Sequence, residues 1–253
     1  MRTIKGSSHG TQAIARAAAL LRIVARYGRE GARLVDLCRS TDLTQPTIHR
    51  ILQGLIEEHL VSQDQTSRRY RLGALIFELG LAVQPGTSLI DGFRPHLRRL
   101  AEDSGDTVYL VRRSGSDAVC LDRAEGTFPI RTLTLEVGGR RPLGIGAGGV
   151  ALLANLDDAE IARTLDRNAR EKVSGYDVSA AQAAIHSTRA VGYSLSRGAI
   201  TEGVDGLGMV IPNPIGLPWL AVSIACISSR MLPPRIDQLS RLLRATIGQL
   251  PPV

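Results

Sequence analysis

The chain has 253 residues, 43% of them apolar and 22% charged, and a formal net charge of +7. Those proportions are globular and exclude a disordered chain, and the length suits one large or two medium domains. No apolar run reaches the ~18 residues of a membrane span and no signal peptide opens the chain, so a cytoplasmic protein with no membrane partner is expected. The positive balance is local. Residues 1–73 hold twelve Lys or Arg against six Asp or Glu, and the remaining 180 hold nineteen against eighteen. That distribution favours a polyanionic partner at the front and a near-neutral role behind. Cys38, Cys120 and Cys226 are far apart, with no C-x-x-C pair and no His/Cys cluster. Neither a disulfide framework nor a metal site is expected, and each Cys reads as core.

Residues 1–10 are short, polar and Gly/Ser-containing, and are expected to be mobile. Residues 11–27 read as a helix with Thr11 at its start, Ala17, Leu20, Leu21 and Val24 on the buried stripe, and Gly28 and Gly31 ending it. Residues 34–40 form a shorter helix with Leu34, Leu37 and Cys38 on one face. Thr41, Asp42 and Leu43 make a tight turn in which Asp42 is expected to be left-handed, and Leu43 plugs the angle before the next helix. Residues 44–58 form that helix. Thr44 stands as N-cap, Pro46 fits the first turn, and Ile48, Ile51, Leu52, Leu55 and Ile56 have the spacing of a buried face. The opposite face carries Gln45, Thr47, His49, Arg50 and Gln53. The chain then turns at His59 into two short strands, 60–63 and 69–72, across a polar loop. Two readings are open for residues 43–72 by themselves: an ordinary surface helix and hairpin, or the DNA-reading end of a winged helix-turn-helix. The order of helix, short helix, three-residue turn, longer helix and hairpin is that of the second. On that reading Gln45, Thr47 and Arg50 contact base edges or phosphates in the major groove. His49 either joins them or packs beside the wing, and Arg68, Arg69 and Arg71 hold backbone phosphates.

Residues 74–83 are a compact apolar helix interrupted by Glu78, which must either pack on the front domain or pair with its copy in a second chain. Residues 84–88 are a linker by composition. A helix follows at 88–103, with Ile90, Phe93, Leu97, Leu100 and Ala101 inward. Strands are expected at 107–112, 118–122 and 130–136, the first two joined by a hairpin at Ser114-Gly115-Ser116. A Gly-rich run, 144–149, leads into a helix at 150–154. Helices are expected at 158–167 and 180–191, strands at 192–195, 207–212 and 219–225, and a last helix at 234–250 with Ile236, Leu239, Leu243 and Ile247 inward. Strand hairpins flanked by helices, without regular βαβ alternation, make the fold class α+β with an antiparallel sheet.

The Gly-rich run has no Lys for a P-loop and no parallel unit feeding it, so no nucleotide cofactor is expected. Its backbone either cradles a small anion or simply allows loop and sheet to pack closely. His9, His49, His59, His96 and His186 do not cluster, and no Ser lies in G-x-S-x-G, so no enzyme and no catalytic residue are nominated.

Taken together, the motifs resemble the IclR family of bacterial transcriptional regulators over nearly the full length. The resemblance is carried by Ile48-His49-Arg50, Tyr70-Arg71-Leu72-Gly73 and Leu100-Ala101 before Thr107-Val108-Tyr109-Leu110. Pro142-Leu143 before Ala151-Leu152-Leu153-Ala154, then Gly192-Tyr193-Ser194 and Gly203-Val204, complete the series. The resemblance implies a winged helix-turn-helix at 1–73, a linker helix at 74–87 and a GAF-like effector-binding domain at 88–253. It implies a homodimer or homotetramer on double-stranded operator DNA, modulated by a small organic effector, an aromatic compound or a carboxylic acid. Carried over position by position, the effector pocket takes Leu133, Ala147, Gly148, Ser196, Val204, Gly206, Ser223 and Ala225. Gly144 stands where the family often has His, Val150 where it often has Lys, and Ser196 where an acid or amide is common. Those departures make the pocket less polar and lean towards a larger or more apolar effector. The rival reading is a ligand-independent architectural DNA binder with a filled second core.

Overall fold

The computed structural model describes residues 9–82, 86–170, 176–213 and 219–251. The expectations for residues 1–8 and for linker residues 84 and 85 lie outside the described residues, while residues 86–88 of the expected linker belong to the helix that follows. The chain divides between Gln84 and Pro85 into two compact units.

In the first unit, α1 (His9–Arg26), α2 (Leu34–Arg39) and α3 (Gln45–Glu57) close on one core. Leu20 and Val24 of α1, Leu37 of α2, and Ile48, Leu52 and Leu55 of α3 are its buried members, with Ile51, Ile56 and Leu43 packed at its edge. The amphipathic spacing of α3 is therefore what seats it, leaving the other face outward. Thr44 occupies the N-cap position, but its hydroxyl meets that of Thr47 at 2.9 Å and caps no backbone N–H. The turn before α3 also differs from expectation. Asp42 is not left-handed; the Thr41 hydroxyl donates to the Leu37 carbonyl at 3.2 Å and accepts from Leu43 N at 3.4 Å, so a side chain makes the bend. Among the described non-glycine residues, positive φ falls on His59, just before the hairpin that follows, and on Arg68, at the end of its loop.

That hairpin pairs β1 (Val61–Gln63) with β2 (Tyr70–Leu72). Tyr70 also exchanges both backbone hydrogen bonds with Ala32, at 2.9 and 2.8 Å, which ties the hairpin to the loop before α2. Gly31 belongs to that contact: at φ +76 a Cβ would lie 2.9 Å from Arg71 Cγ. Helix α4 (Ala74–Ala82) follows, with no buried residue.

The second unit is a six-stranded, wholly antiparallel sheet between two helical layers. Helix α5 (Gly86–Ser104) leads to β3 (Thr107–Ser114), β4 (Asp117–Ala124) and β5 (Arg140–Pro142). Next come α6 (Gly146–Ala154), α7 (Asp158–Arg170) and α8 (Val178–Val191). Then β6 (Ser194–Arg197), β7 (Val204–Val210), β8 (Leu220–Ile227) and α9 (Pro233–Ile247) complete the unit. The strand order is β5-β4-β3-β8-β7-β6. Alternation along β3 divides the core: Val108 and Leu110 join Phe93, Leu97, Leu239 and Leu243 of α5 and α9, while Tyr109 and Val111 join Leu152, Leu153 and Ile185 of α6 and α8. The register shifts on β4 between Cys120 and Asp122. The bulge leaves Ala118 and Cys120 on the α6 face and moves Ala124, which plain alternation would put with them, to the α5 face.

Two elements depart from expectation. Residues 130–136 form no strand. The segment is fastened crosswise instead: the Tyr109 hydroxyl donates to Thr132 O and accepts from Thr134 N at 3.0 Å, and the Thr132 hydroxyl donates to Ala225 O at 2.7 Å. The strand after β4 is the short β5. Helix α6 begins at Gly146, within the Gly-rich run and four residues earlier than expected. Helix propensity disfavours those glycines, but packing requires two of them: a Cβ on Gly146 would lie 2.7 Å from Ile200 Cδ1, and one on Gly148 would lie 2.7 Å from Val111 Cγ2. Every residue of α6 is buried.

Candidate functional site

The first candidate is the outward face of α3 with the hairpin beyond it. Gln45, His49, Arg50 and Gln53 are exposed and Thr47 is half-buried. Gln45, His49 and Arg50 have no side-chain hydrogen bond among the described residues, so these donors and acceptors are free to meet an external partner. The three hairpin arginines divide by role. Arg68 is exposed at the loop end, its backbone held by Gln63 Nε2 on its carbonyl at 3.0 Å, and its guanidinium has no partner among the described residues. Arg69 is half-buried and donates to the Gly31 carbonyl at 3.0 Å. Arg71 lies 3.6 Å from Asp64. Asp64 also accepts from the backbone and hydroxyl of Ser67, each at 2.7 Å, and those hydrogen bonds with the nearby Arg71 charge hold its carboxyl below the usual range. Arg69 and Arg71 thus shape the loop that presents Arg68.

The second candidate is a cavity of about 60 Å³ in the second unit, between the α6 face of the sheet and the segment at 134–135. Ala147 and Gly148 of α6, Ser196 of β6, Val204 and Gly206 of β7, and Ser223 and Ala225 of β8 all line it. Leu133 does not; its side chain is 46% exposed, and its neighbours Thr134 and Leu135 face the cavity instead. Leu133 is carried over from the family resemblance onto a segment expected to be a strand, and that segment forms no strand here. Sequence reasoning also missed Tyr109, Ile145, Ile200 and Arg141. For Arg141 the signal lies in the structure and not in the sequence. Two adjacent arginines on an edge strand face opposite ways. Arg140 is paired with the buried Asp117 at 3.3 Å, so Arg141 takes the other face. Burial lowers the Arg141 pKa, and its guanidinium donates to the Thr134 carbonyl. Cys120 and Cys226 are buried, and burial pushes both thiols up to about 12, which leaves them protonated and unreactive. Among the described residues no three His, Cys, Asp or Glu lie close enough to hold a metal, and no helix is long and apolar enough to cross a membrane.

A helix with a polar outward face and a basic hairpin, joined in one chain to an α+β unit with a cavity on its sheet, is the make-up of an effector-responsive winged-helix transcriptional regulator. Residues 13–65 match the IclR helix-turn-helix domain, and residues 82–250 match the family described as bacterial transcriptional regulator IclR, C-terminal. The chain belongs to the IclR family of DNA-binding transcriptional regulators, whose C-terminal domain binds effectors. It is 27% identical to the HTH-type transcriptional repressor AllR of Klebsiella pneumoniae over 240 residues, covering 94% of this chain and 88% of the relative. Among solved structures, an IclR regulator from a Silicibacter species is 26% identical with a TM-score of 0.74, covering 95% of this chain and 98% of that one. The IclR family regulator from Brucella abortus is 22% identical with a TM-score of 0.75 and matches in fold, covering 94% of this chain and 90% of that one.

Proposed function

We propose that Gln45, Thr47, His49 and Arg50 of α3 read the operator in the major groove, that Arg68 holds a neighbouring phosphate, and that a small organic effector in the sheet cavity changes operator affinity. Arg69 and Arg71 support Arg68 more than they contact DNA. The observation that carries the reading is the polar face of α3, whose Gln45, His49 and Arg50 side chains, like the exposed Arg68 of the hairpin, have no side-chain hydrogen bond among the described residues. A buried stripe fixes the helix while that opposite face meets solvent, which is how a recognition helix is presented. The protein acts as a homodimer or homotetramer, with α4 supplying apolar surface for self-association. An effector works only through different affinities for two arrangements of the protein. The cavity supports this over a purely architectural binder, which has no use for an open space on its sheet.

Fluorescence anisotropy with the duplex upstream of the gene, against random duplex, tests the DNA reading. Arg50→Ala is expected to weaken specific binding about ten- to a hundredfold while leaving the fold intact, since the side chain is exposed. Equal affinity of the unaltered protein for both duplexes would refute it.

A further inference from the structure

We infer that the β6–β7 loop, residues 198–203, is a hinged lid on the sheet cavity and that Ile200 is the side chain that holds it shut. The inference concerns access and not the chemistry of the occupant, so it goes beyond the reading of the cavity as an effector site and fails or stands independently of it. The walls of the cavity are unequally fastened. Strands β3, β4, β6, β7 and β8 are held by their ladders, and α6 is buried throughout. The crosswise segment is pinned on both sides: Thr134 N donates to the Tyr109 hydroxyl at 3.0 Å, and the Thr134 carbonyl accepts from Arg141. The β6–β7 loop is the exception. Among the described residues, Ala199, Ile200 and Glu202 make no hydrogen bond through backbone or side chain, and all three are exposed.

The ends of the loop differ from its tip. Gly198 and Gly203 take positive φ, +58 and +79, and no atom would come within 4 Å of a Cβ at either position. Glycines in such open space change their backbone angles without collision. Just outside them the frame is rigid. Buried Asp205 accepts from Gly198 N at 3.1 Å, from Arg197 at 3.1 Å and from the Ser228 hydroxyl at 2.8 Å, and the Gly203 carbonyl accepts from Ser228 N at 2.8 Å. A loose tip between two glycines on a pinned base is the make-up of a hinge. Within residues 198–203, Ile200 alone lines the cavity. Its Cδ1 would stand 2.7 Å from a Cβ on Gly146, so it rests on the bare first turn of α6. That contact is apolar and non-directional, and opening breaks no hydrogen bond of the isoleucine. With the loop down, Ser223 on the cavity wall is only 7% exposed.

The test places a thiol inside the cavity of the full-length protein and measures how fast it is reached. In Ser223→Cys, alkylation by iodoacetamide and by the bulkier N-ethylmaleimide is followed at position 223 by peptide mass spectrometry. Ala225→Cys is the second reporter position on the same wall. Native Cys226, 1% exposed on the α5 face of the sheet, reports unfolding of the whole unit in the same sample. With Ile200 in place the introduced thiol is expected to react about a hundredfold more slowly than in the urea-unfolded chain. Adding Ile200→Ala is expected to speed it about tenfold, more for the maleimide than for iodoacetamide, with Cys226 unchanged. Ile200→Val, which keeps an apolar contact, is expected to fall between. A thiol that reacts at the unfolded-chain rate with Ile200 present means a permanently open mouth. A rate left unchanged by Ile200→Ala means that another wall gives way, and a rise matched at Cys226 means that Ile200 only supports the fold. Each of these three results would overturn the inference. Slow labelling governed by Ile200, in a protein whose operator affinity no metabolite alters, would leave the lid standing and sink the effector reading.

Discussion

Gly148 shows how tightly single positions are specified on the cavity wall. A methyl group there would stand 2.7 Å from Val111 Cγ2 and 3.4 Å from Ser223 Oγ, and the β-branched valine has little room to swing away. Gly148→Ala is therefore expected to cost about 1–3 kcal/mol by overpacking, read from urea denaturation, and to shrink the cavity as well. An unchanged denaturation midpoint would show that α6 can lift off the sheet more easily than its contacts imply. Individual positions were unevenly legible in sequence. Ser196 and Ser223 sit on regular strands and line the cavity, although the strand expected at 192–195 stops one residue short of Ser196. Leu133 was not, because its segment is held by side-chain hydrogen bonds instead of a ladder. Arg141 escaped notice because an arginine in sequence gives no hint whether its charge is already neutralised. Only the placement of Asp117 beside Arg140 and the prior engagement of Asp205 reveal that it is not.

At the level of elements, α4 carries an unresolved demand. Phe77 is 70% exposed, Leu79 52% and Leu81 69%, and nothing in the helix is fully buried within the chain. A contiguous apolar surface of this kind marks an association site. Phe77 and Leu81 are four residues apart and share a face. Changing both to Glu is expected to raise the dimer dissociation constant by at least about tenfold, followed by sedimentation velocity across a concentration series, and to weaken operator binding in parallel. A doubly substituted protein that stays fully associated would assign self-association elsewhere. Of the two openings left by the sequence, packing on the front domain or pairing with a copy, the exposure favours the second. Elements with a clean period were legible: the apolar stripes of α1, α3, α5 and α9 name their buried faces almost residue for residue. Where local preference and tertiary packing disagree, as at the glycines of α6, sequence alone places the boundary late.

The charge along the chain is lopsided, with six of the seven surplus Lys and Arg in residues 1–73. If Arg68 of each protomer of a dimer neutralises one phosphate, about two contacts follow, and log K should fall with log salt at a slope of about −1.8. Affinity then drops about tenfold between roughly 50 and 200 mM salt, and Arg68→Ala should bring the slope close to zero. An anisotropy series at four or five salt concentrations reads both values, and a flat line would remove the phosphate contacts from consideration. At this scale the two-part plan and the antiparallel character of the sheet were legible, from charge distribution and from the lack of βαβ alternation. The strand order was not. Placing β8 beside β3 joins segments over a hundred residues apart, and no local pattern records that pairing.

The bridge between Ala32 and Tyr70 reaches beyond the fold it was met in. With its base sewn to the body on a third side, the hairpin surrenders its freedom when the chain folds and not when it meets a duplex. Little backbone remains to be tamed on docking, so calorimetry of the complex should report the surface it covers without the large heat-capacity signature of a segment that folds as it binds.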